Sequence, residues 1–248
     1  MSKARNRYEL ELMRKSGNIA SSALKRALDS IRLGVSELEV DKVVTEEIYK
    51  LGGDLSYKSV PNYKFATCIT VNDQVVHGIP TDRKFEKGDI VSIDLAASFK
   101  GWHTDCAWSI LVGGQDKEKN KFLEVGEQAL WEAVNQALDG NRVGDISSAI
   151  QAKVEGAGYH VVRSLVGHGI GRSLHEEPEV PGFGNKDTGI ILKEGMTLAI
   201  EVIYGKGTSD VVLGEDGWTF STLDRSWGGL FEMTVIVGKE KPEVLTQL

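Results

Sequence analysis

Asp89-Ile-Val-Ser-Ile-Asp-Leu-Ala-Ala-Ser-Phe-Lys-Gly-Trp-His-Thr-Asp-Cys-Ala-Trp-Ser-Ile-Leu-Val112 is the stretch that decides the fold. Residues 89–96 and 103–112 are rich in β-branched and apolar side chains, and the link 98–101 contains Lys100 and Gly101. This pattern predicts two antiparallel strands joined by a tight turn. Each strand carries one acid in an apolar setting, Asp94 and, eleven residues on, Asp105. An ionised carboxylate among apolar groups is costly unless it is paired or binds a metal. A tight hairpin brings both within reach of one ion. Taken singly, either acid reads as a hydrogen-bonded core residue.

Working outward, the preceding third reads as helix. Leu10, Met13, Ile19, Ala20, Ala23, Leu24, Ala27, Leu28 and Ile31 recur at nearly helical spacing up to Gly34. Ser36 and Glu39 form a capping box that opens a second helix, stopped by Gly52-Gly53. Residues 67–71 form a short strand. Downstream, helical spacing returns over about 117–138 and 145–157, followed by strands near 196–204, 210–213, 218–221 and 230–237. Residues 27–34 (Ala-Leu-Asp-Ser-Ile-Arg-Leu-Gly) are echoed by residues 137–144 (Ala-Leu-Asp-Gly-Asn-Arg-Val-Gly), each at the end of one helix and before another. The echo and the element order predict two pseudo-symmetric ααββ halves, about 1–115 and 116–248, within one domain. The class is α+β, an antiparallel sheet covered by helices, with a ligand between the halves.

The bulk composition fits that picture. The 248 residues are 41% hydrophobic and 26% charged, a balance that can bury a substantial core. A net charge of -7 argues against a nucleic-acid binder. The two cysteines, Cys68 and Cys106, give no disulfide framework and suit a reducing compartment. The N-terminus shows no apolar signal segment, and no window approaches the roughly 20 apolar residues of a membrane span. A cytoplasmic protein with no membrane contact is expected. With no coiled coil in view, a monomer is expected.

The second half repeats the buried-acid pattern. Glu201 stands in Thr197-Leu-Ala-Ile-Glu-Val-Ile203, and Glu232 in Gly229-Leu-Phe-Glu-Met-Thr-Val-Ile-Val237. Four acids on four apolar strands repel one another without cations, and two divalent metals about 3.5–4 Å apart would relieve this. His168, in Val166-Gly-His-Gly-Ile-Gly171, sits where glycines let the backbone wrap closely around a ligand. An imidazole beside carboxylates suits Mn, Fe, Co or Zn better than Ca or Mg. His77 and His175 read either as core or capping residues or as donors to a substrate carbonyl. His103 and His160 carry no role. There is no G-x-S-x-G, P-loop or C-x-x-C motif to support a serine or cysteine nucleophile.

The order Asp94, Asp105, His168, Glu201, Glu232 resembles the metal pentad of the methionine aminopeptidases and their pita-bread-fold relatives. The surrounding segments match as well: Val76-His-Gly-Ile-Pro80, Gly88-Asp-Ile-Val91, Gly167-His-Gly-Ile-Gly-Arg172, His175-Glu-Glu-Pro178, Gly195-Met-Thr197 and Asp216-Gly-Trp-Thr219. The resemblance runs from the first helix to about Val237 and is nearest the minimal type I form. It implies the pita-bread fold and removal of N-terminal methionine from nascent proteins by a hydroxide shared between two divalent metals (Co, Mn, Fe or Zn). Asp105 and Glu232 would bridge the metals, His168 and Glu201 complete one site, and Asp94 the other. Glu201 would shuttle the proton. His77 and His175 would contact substrate, with Tyr57, Cys68, Leu174 and Trp218 lining the methionine pocket. Ribosome association would follow from the substrate class. The family carries Pro and His after the last two acids where this chain has Val202 and Met233, changes expected to alter the surroundings of the ligands. Two alternatives share the pentad or the fold: a prolidase or Xaa-Pro aminopeptidase, usually with a large N-terminal domain, and a non-catalytic binding protein.

Overall fold

The computed structural model describes residues 4–248. Helices α1 (Arg7–Ser30) and α2 (Glu37–Lys50) are followed by β1 (Asp54–Leu55), a 3-10 turn at Ser56–Ser59, β2 (Thr67–Val71), β3 (Gln74–Val76), β4 (Ile90–Phe99) and β5 (Trp102–Leu111). Helices α3 (Lys117–Val134) and α4 (Val143–Gly156) then lead to β6 (His160–Val161), β7 (Gly167–Gly169), β8 (Glu176–Val180), β9 (Thr197–Gly205), β10 (Val211–Leu213), β11 (Phe220–Thr222), β12 (Gly228–Ile236) and β13 (Glu243–Val244).

Local chemistry explains the helix starts. Asn6 and Glu9 exchange side-chain and backbone hydrogen bonds at 3.0 and 2.8 Å, so α1 begins at Arg7, three residues before the first apolar position of the periodic pattern, Leu10. Ser36 and Glu39 make the predicted box on α2. Asp116 accepts from Glu118 N and Lys119 N and opens α3.

The β4–β5 hairpin is tighter than the link 98–101 suggests. Pairing continues to Phe99↔Trp102, leaving a two-residue turn in which Lys100 and Gly101 both have positive φ, 52° and 73°. The main sheet runs β1-β4-β5-β12-β9-β7-β8, with β2 on β4, β6 on β9 and β13 on β12, and every pair is antiparallel. A small second sheet joins β10, β11 and β3.

Alternation divides the main sheet into two faces. Val91, Ile93, Leu95, Ala97 and Cys106 pack with Ala20, Ala23 and Leu24 of α1 and Val40, Val44 and Ile48 of α2. Ile200, Val202, Tyr204, Phe231, Met233 and Val235 pack with Phe122, Leu130 and Val134 of α3 and Ile146 and Ile150 of α4. Burying one such large side chain stabilises the fold by about 1.5–3 kcal/mol. The helices therefore cover one face. Asp94, Glu201 and Glu232, each one residue removed from these core positions, project from the other. Val202 and Met233 consequently lie in the core under α3 and do not join the ligands' surroundings, contrary to expectation, because strand neighbours point to opposite faces.

Candidate metal centre

Strand register gathers the acids. Directly opposed residues run across the sheet as Cys68 on β2, Asp94 on β4, Ala107 on β5, Glu232 on β12 and Glu201 on β9. The adjacent rung on the same face runs Ala96, Asp105, Thr234, Ala199 and His168. Thr234 Oγ1 locks the centre of that rung, accepting from Asp105 N and donating to Asp105 O, both at 2.8 Å. Ala96, Ala107 and Ala199 interleave the acids, and their small side chains leave room above the sheet. Glu201 directly faces Glu232, a like-charge pair that weakens a sheet unless a cation lies between them.

Ligand atoms of Asp105, His168 and Glu232 lie within 4.8 Å of one another. Glu201 adjoins this cluster, its Oε1 3.9 Å from His168 Nε2. Asp94 adjoins it on the other side, where the Tyr57 hydroxyl donates to Asp94 Oδ1 at 2.5 Å and stands 3.5 Å from Asp105 Oδ1. His168 Nδ1 lies 2.8 Å from Gly169 O. A carbonyl can only accept, so Nδ1 carries the hydrogen and Nε2 offers a lone pair toward the acids. Burial, reinforced by His175, pushes His168 down to about 4, so the ring is neutral near pH 7.

The acids are displaced the opposite way. Burial raises Asp94 to about 6 against the Tyr57 hydrogen bond. Burial raises Asp105, with Asp94 and Glu201 adding repulsion, and raises Glu232, with Asp105, Glu201 and Asp94 adding theirs. Glu201 rises through burial and the Asp94 charge. Glu232 Oε1 is buried with no hydrogen-bond partner. Four mutually repelling carboxylates, an unpartnered buried oxygen and a neutral imidazole aimed at them form a donor set that fits borderline divalent metals.

A cavity of about 220 Å³ opens above this floor. Its lining includes every expected metal- or substrate-contacting residue: Asp94, Asp105, His168, Glu201, Glu232, His77, His175, Tyr57, Cys68, Leu174 and Trp218. Tyr63, with Val60, Val76, Leu165, Val166 and Ile203, lines it too and was not anticipated. A cavity-wall tyrosine in Pro61-Asn-Tyr-Lys64 carries no sequence signal that separates it from a core tyrosine. Tyr63 packs 5.7 Å from Tyr57 and 5.1 Å from Trp218, ring to ring, and its hydroxyl lies 3.2 Å from Cys68 Sγ. Asp216 accepts from Trp218 N and Thr219 N at 2.9 Å and so holds the turn that presents Trp218.

His77 and His175 are exposed where they border the cavity. His77 adopts φ 57°, a left-handed conformation costing a side-chain-bearing residue about 1–2 kcal/mol. The next residue must be glycine, since a Cβ on Gly78 would lie 2.0 Å from Ile69 O. The rings of His168 and His175 are 4.5 Å apart. Among the described residues, no helix is long and apolar enough to cross a membrane.

Residues 11–239 match metallopeptidase family M24. A methionine aminopeptidase of Clostridium perfringens is 40% identical over 242 residues, 98% of this chain and 97% of that protein. Methionine aminopeptidase 1 of Bacillus subtilis is 38% identical, with 97% of each chain covered. The crystal structure of a methionine aminopeptidase from Thermotoga maritima matches with a TM-score of 0.98 at 38% identity, over 100% of both chains. A prolidase from Pyrococcus furiosus shares the pita-bread fold, with a TM-score of 0.80 at 24% identity, over 66% of its length.

Proposed function

The chain belongs to metallopeptidase family M24 and, within it, to the methionine aminopeptidases, and on that premise we propose that it hydrolyses the N-terminal methionine from nascent proteins with two divalent metal ions. The observation that carries this reading is the pair of adjacent rungs that collects Asp94, Asp105, His168, Glu201 and Glu232 under one cavity. The prolidase reading has less support, since that likeness is weaker and spans two-thirds of a longer chain.

In this assignment Asp94, Asp105, His168, Glu201 and Glu232 would together hold the two ions. Bound there, divalent ions such as Co, Mn, Fe or Zn would supply Lewis acidity toward the scissile carbonyl and toward water. The remaining work falls to the side chains. Glu201 takes a proton from the attacking water and returns it to the leaving amine. His77 and His175 donate to the scissile carbonyl as charge builds on its oxygen. Tyr63, Cys68, Leu174 and Trp218 enclose the thioether side chain, which packs well against aromatic rings. We read the chain as one catalytic domain whose halves, about 1–115 and 116–248, meet where β5 pairs with β12. Its substrates emerge at the ribosome, so we place it in the cytoplasm as a monomer that meets nascent chains there.

The test is methionine release from Met-Ala-Ser by the purified protein, with Co, Mn or Fe(II) and with chelator, and with Ala-Pro as the competing substrate. Metal-dependent release from Met-Ala-Ser alone is expected. Turnover of Ala-Pro, or no turnover with any metal bound, would overturn the reading.

A further inference from the structure

Tyr57 does more than wall a pocket. It sits in the 3-10 turn Ser56–Ser59. The turn follows directly from β1, which is paired to β4 through Asp54↔Ser98 and Leu55↔Ala97. The turn is thus anchored to the strand that carries Asp94. The ring is 7% exposed and meets Tyr63 edge-on at 5.7 Å, so it has little rotational freedom. A phenol donates one hydrogen bond. At 2.5 Å from Asp94 Oδ1 and 3.5 Å from Asp105 Oδ1, the Tyr57 hydroxyl gives it to Asp94. The other acids on the floor are supported differently: Asp105 accepts from Cys106 N at 3.0 Å, and Glu232 Oε1 has no partner.

We propose that the Tyr57 hydroxyl orients Asp94 and sets the affinity of the metal ion on the Asp94 side. The inference rests on the two-ion reading above. The hydrogen bond occupies one lone pair of one oxygen, leaving Asp94 the rest of its donor capacity. It also holds the carboxylate in a single orientation. Donors that fix ligands in this way are worth about 10–100-fold in metal affinity. Tyr57 is therefore a positioning residue acting through Asp94.

Tyr57→Phe keeps the ring and removes only the hydroxyl. The measurement is calorimetric titration of the metal-free full-length protein with Mn(II) alone, beside a circular dichroism melt that verifies folding. The wild-type protein is expected to bind two ions. In Tyr57→Phe, one Kd should rise about 10–100-fold while the other changes less than about twofold. In an Asp94→Asn background, the same substitution should have no further effect, because the coupling runs through Asp94. Tyr63→Phe, which removes a neighbouring hydroxyl from the same cavity, should leave both Kd values in place. Two unchanged Kd values in Tyr57→Phe, with only KM for Met-Ala-Ser rising, would reduce Tyr57 to a pocket wall and overturn the inference. Tighter binding in Tyr57→Phe would overturn it in the other sense, since the phenol would then compete with the ion. A wild-type protein that binds fewer than two ions would instead defeat the two-ion reading and take this inference with it.

Discussion

Glu201 is the residue on which the proposed chemistry turns, because it stands beside both Glu232 and His168 at the floor of the cavity. Glu201→Gln keeps the shape of the side chain and removes its basicity. The expected result is a fall in kcat of about 10²–10⁴, the usual contribution of a positioned acid–base group. Binding of free methionine, followed by calorimetry with metal present, should change much less. Near-normal kcat in this variant would remove Glu201 from the proton pathway. This residue was legible in the sequence for the reason Asp94, Asp105 and Glu232 were: an acid in an apolar strand is out of place unless it has a task. The lining contributed by Tyr63, Leu165 and Ile203 was not legible, since apolar and aromatic side chains read alike in a cavity wall and in a core. Val202 and Met233 were misread for a related reason. Adjacency along a strand suggests proximity to the ligands, while the pleat sends each neighbour to the opposite face.

Among the elements, long helices and strands announce themselves by period, and the short ones do not. Residues 67–71 match β2 in full, whereas β7 and β8 have no legible alternation and form because β7 pairs with β9 and β8 pairs with β7. These two short strands and the turn between them carry His168, Leu174 and His175, so their placement matters. It depends on the segment before α1. Arg5 donates to Ile170 O at 3.3 Å, forms an ion pair with Glu176 and approaches Thr197 Oγ1 at 3.4 Å. It thereby ties the histidine turn to the start of β9. Burial opposes ionisation of Glu176, but hydrogen bonds from Ser173 N and Arg5 hold its carboxyl below the usual range. Arg5→Ala should cost about 1.5–3 kcal/mol, the range for a hydrogen bond to a charged group. At about 2–4 °C per kcal/mol, the melting temperature should fall by about 3–12 °C. The folded pKa of Glu176 is depressed, so this contribution is present above the unfolded value of about 4.3 and lost as pH falls through the folded one. The difference between wild type and Arg5→Ala should therefore shrink below about pH 4. A constant difference in melting temperature down to pH 3 would show that Arg5 acts by packing and not through this pair.

For the molecule as a whole, the sheet that joins α1–α2 to α3–α4 is also the floor that concentrates charge. The echo between residues 27–34 and 137–144 falls at the junctions of those two helix pairs, so sequence period and tertiary packing agree on where the layers lie. Sequence cannot express how four separate strands bring their acids onto adjacent rungs, and that register governs stability. Each acid has its folded pKa raised by burial first, with Asp94 at about 6. A raised carboxyl contributes stability that is fully present below its unfolded pKa and lost as pH rises through the folded value. The metal-free protein should therefore lose stability as pH rises from about 4 through about 6, where Asp94 ionises, and go on losing it as the other three carboxyls are forced to ionise. His168, whose folded value is lowered to about 4, opposes this trend between about pH 6.5 and pH 4, and the depressed surface carboxyls reverse it below about pH 4. A divalent ion replaces the protons. Present at 100 times its Kd, it adds about 2.7 kcal/mol, or about 5–10 °C in melting temperature for a chain of this size. Melting curves of chelated and Mn(II)-loaded protein across this pH range give the test. The two should diverge as pH rises, with the loaded form nearly flat and the chelated form falling. Parallel curves would mean that the acids are relieved by something other than a cation, and the floor would then have to be reread as a hydrogen-bonded carboxyl network.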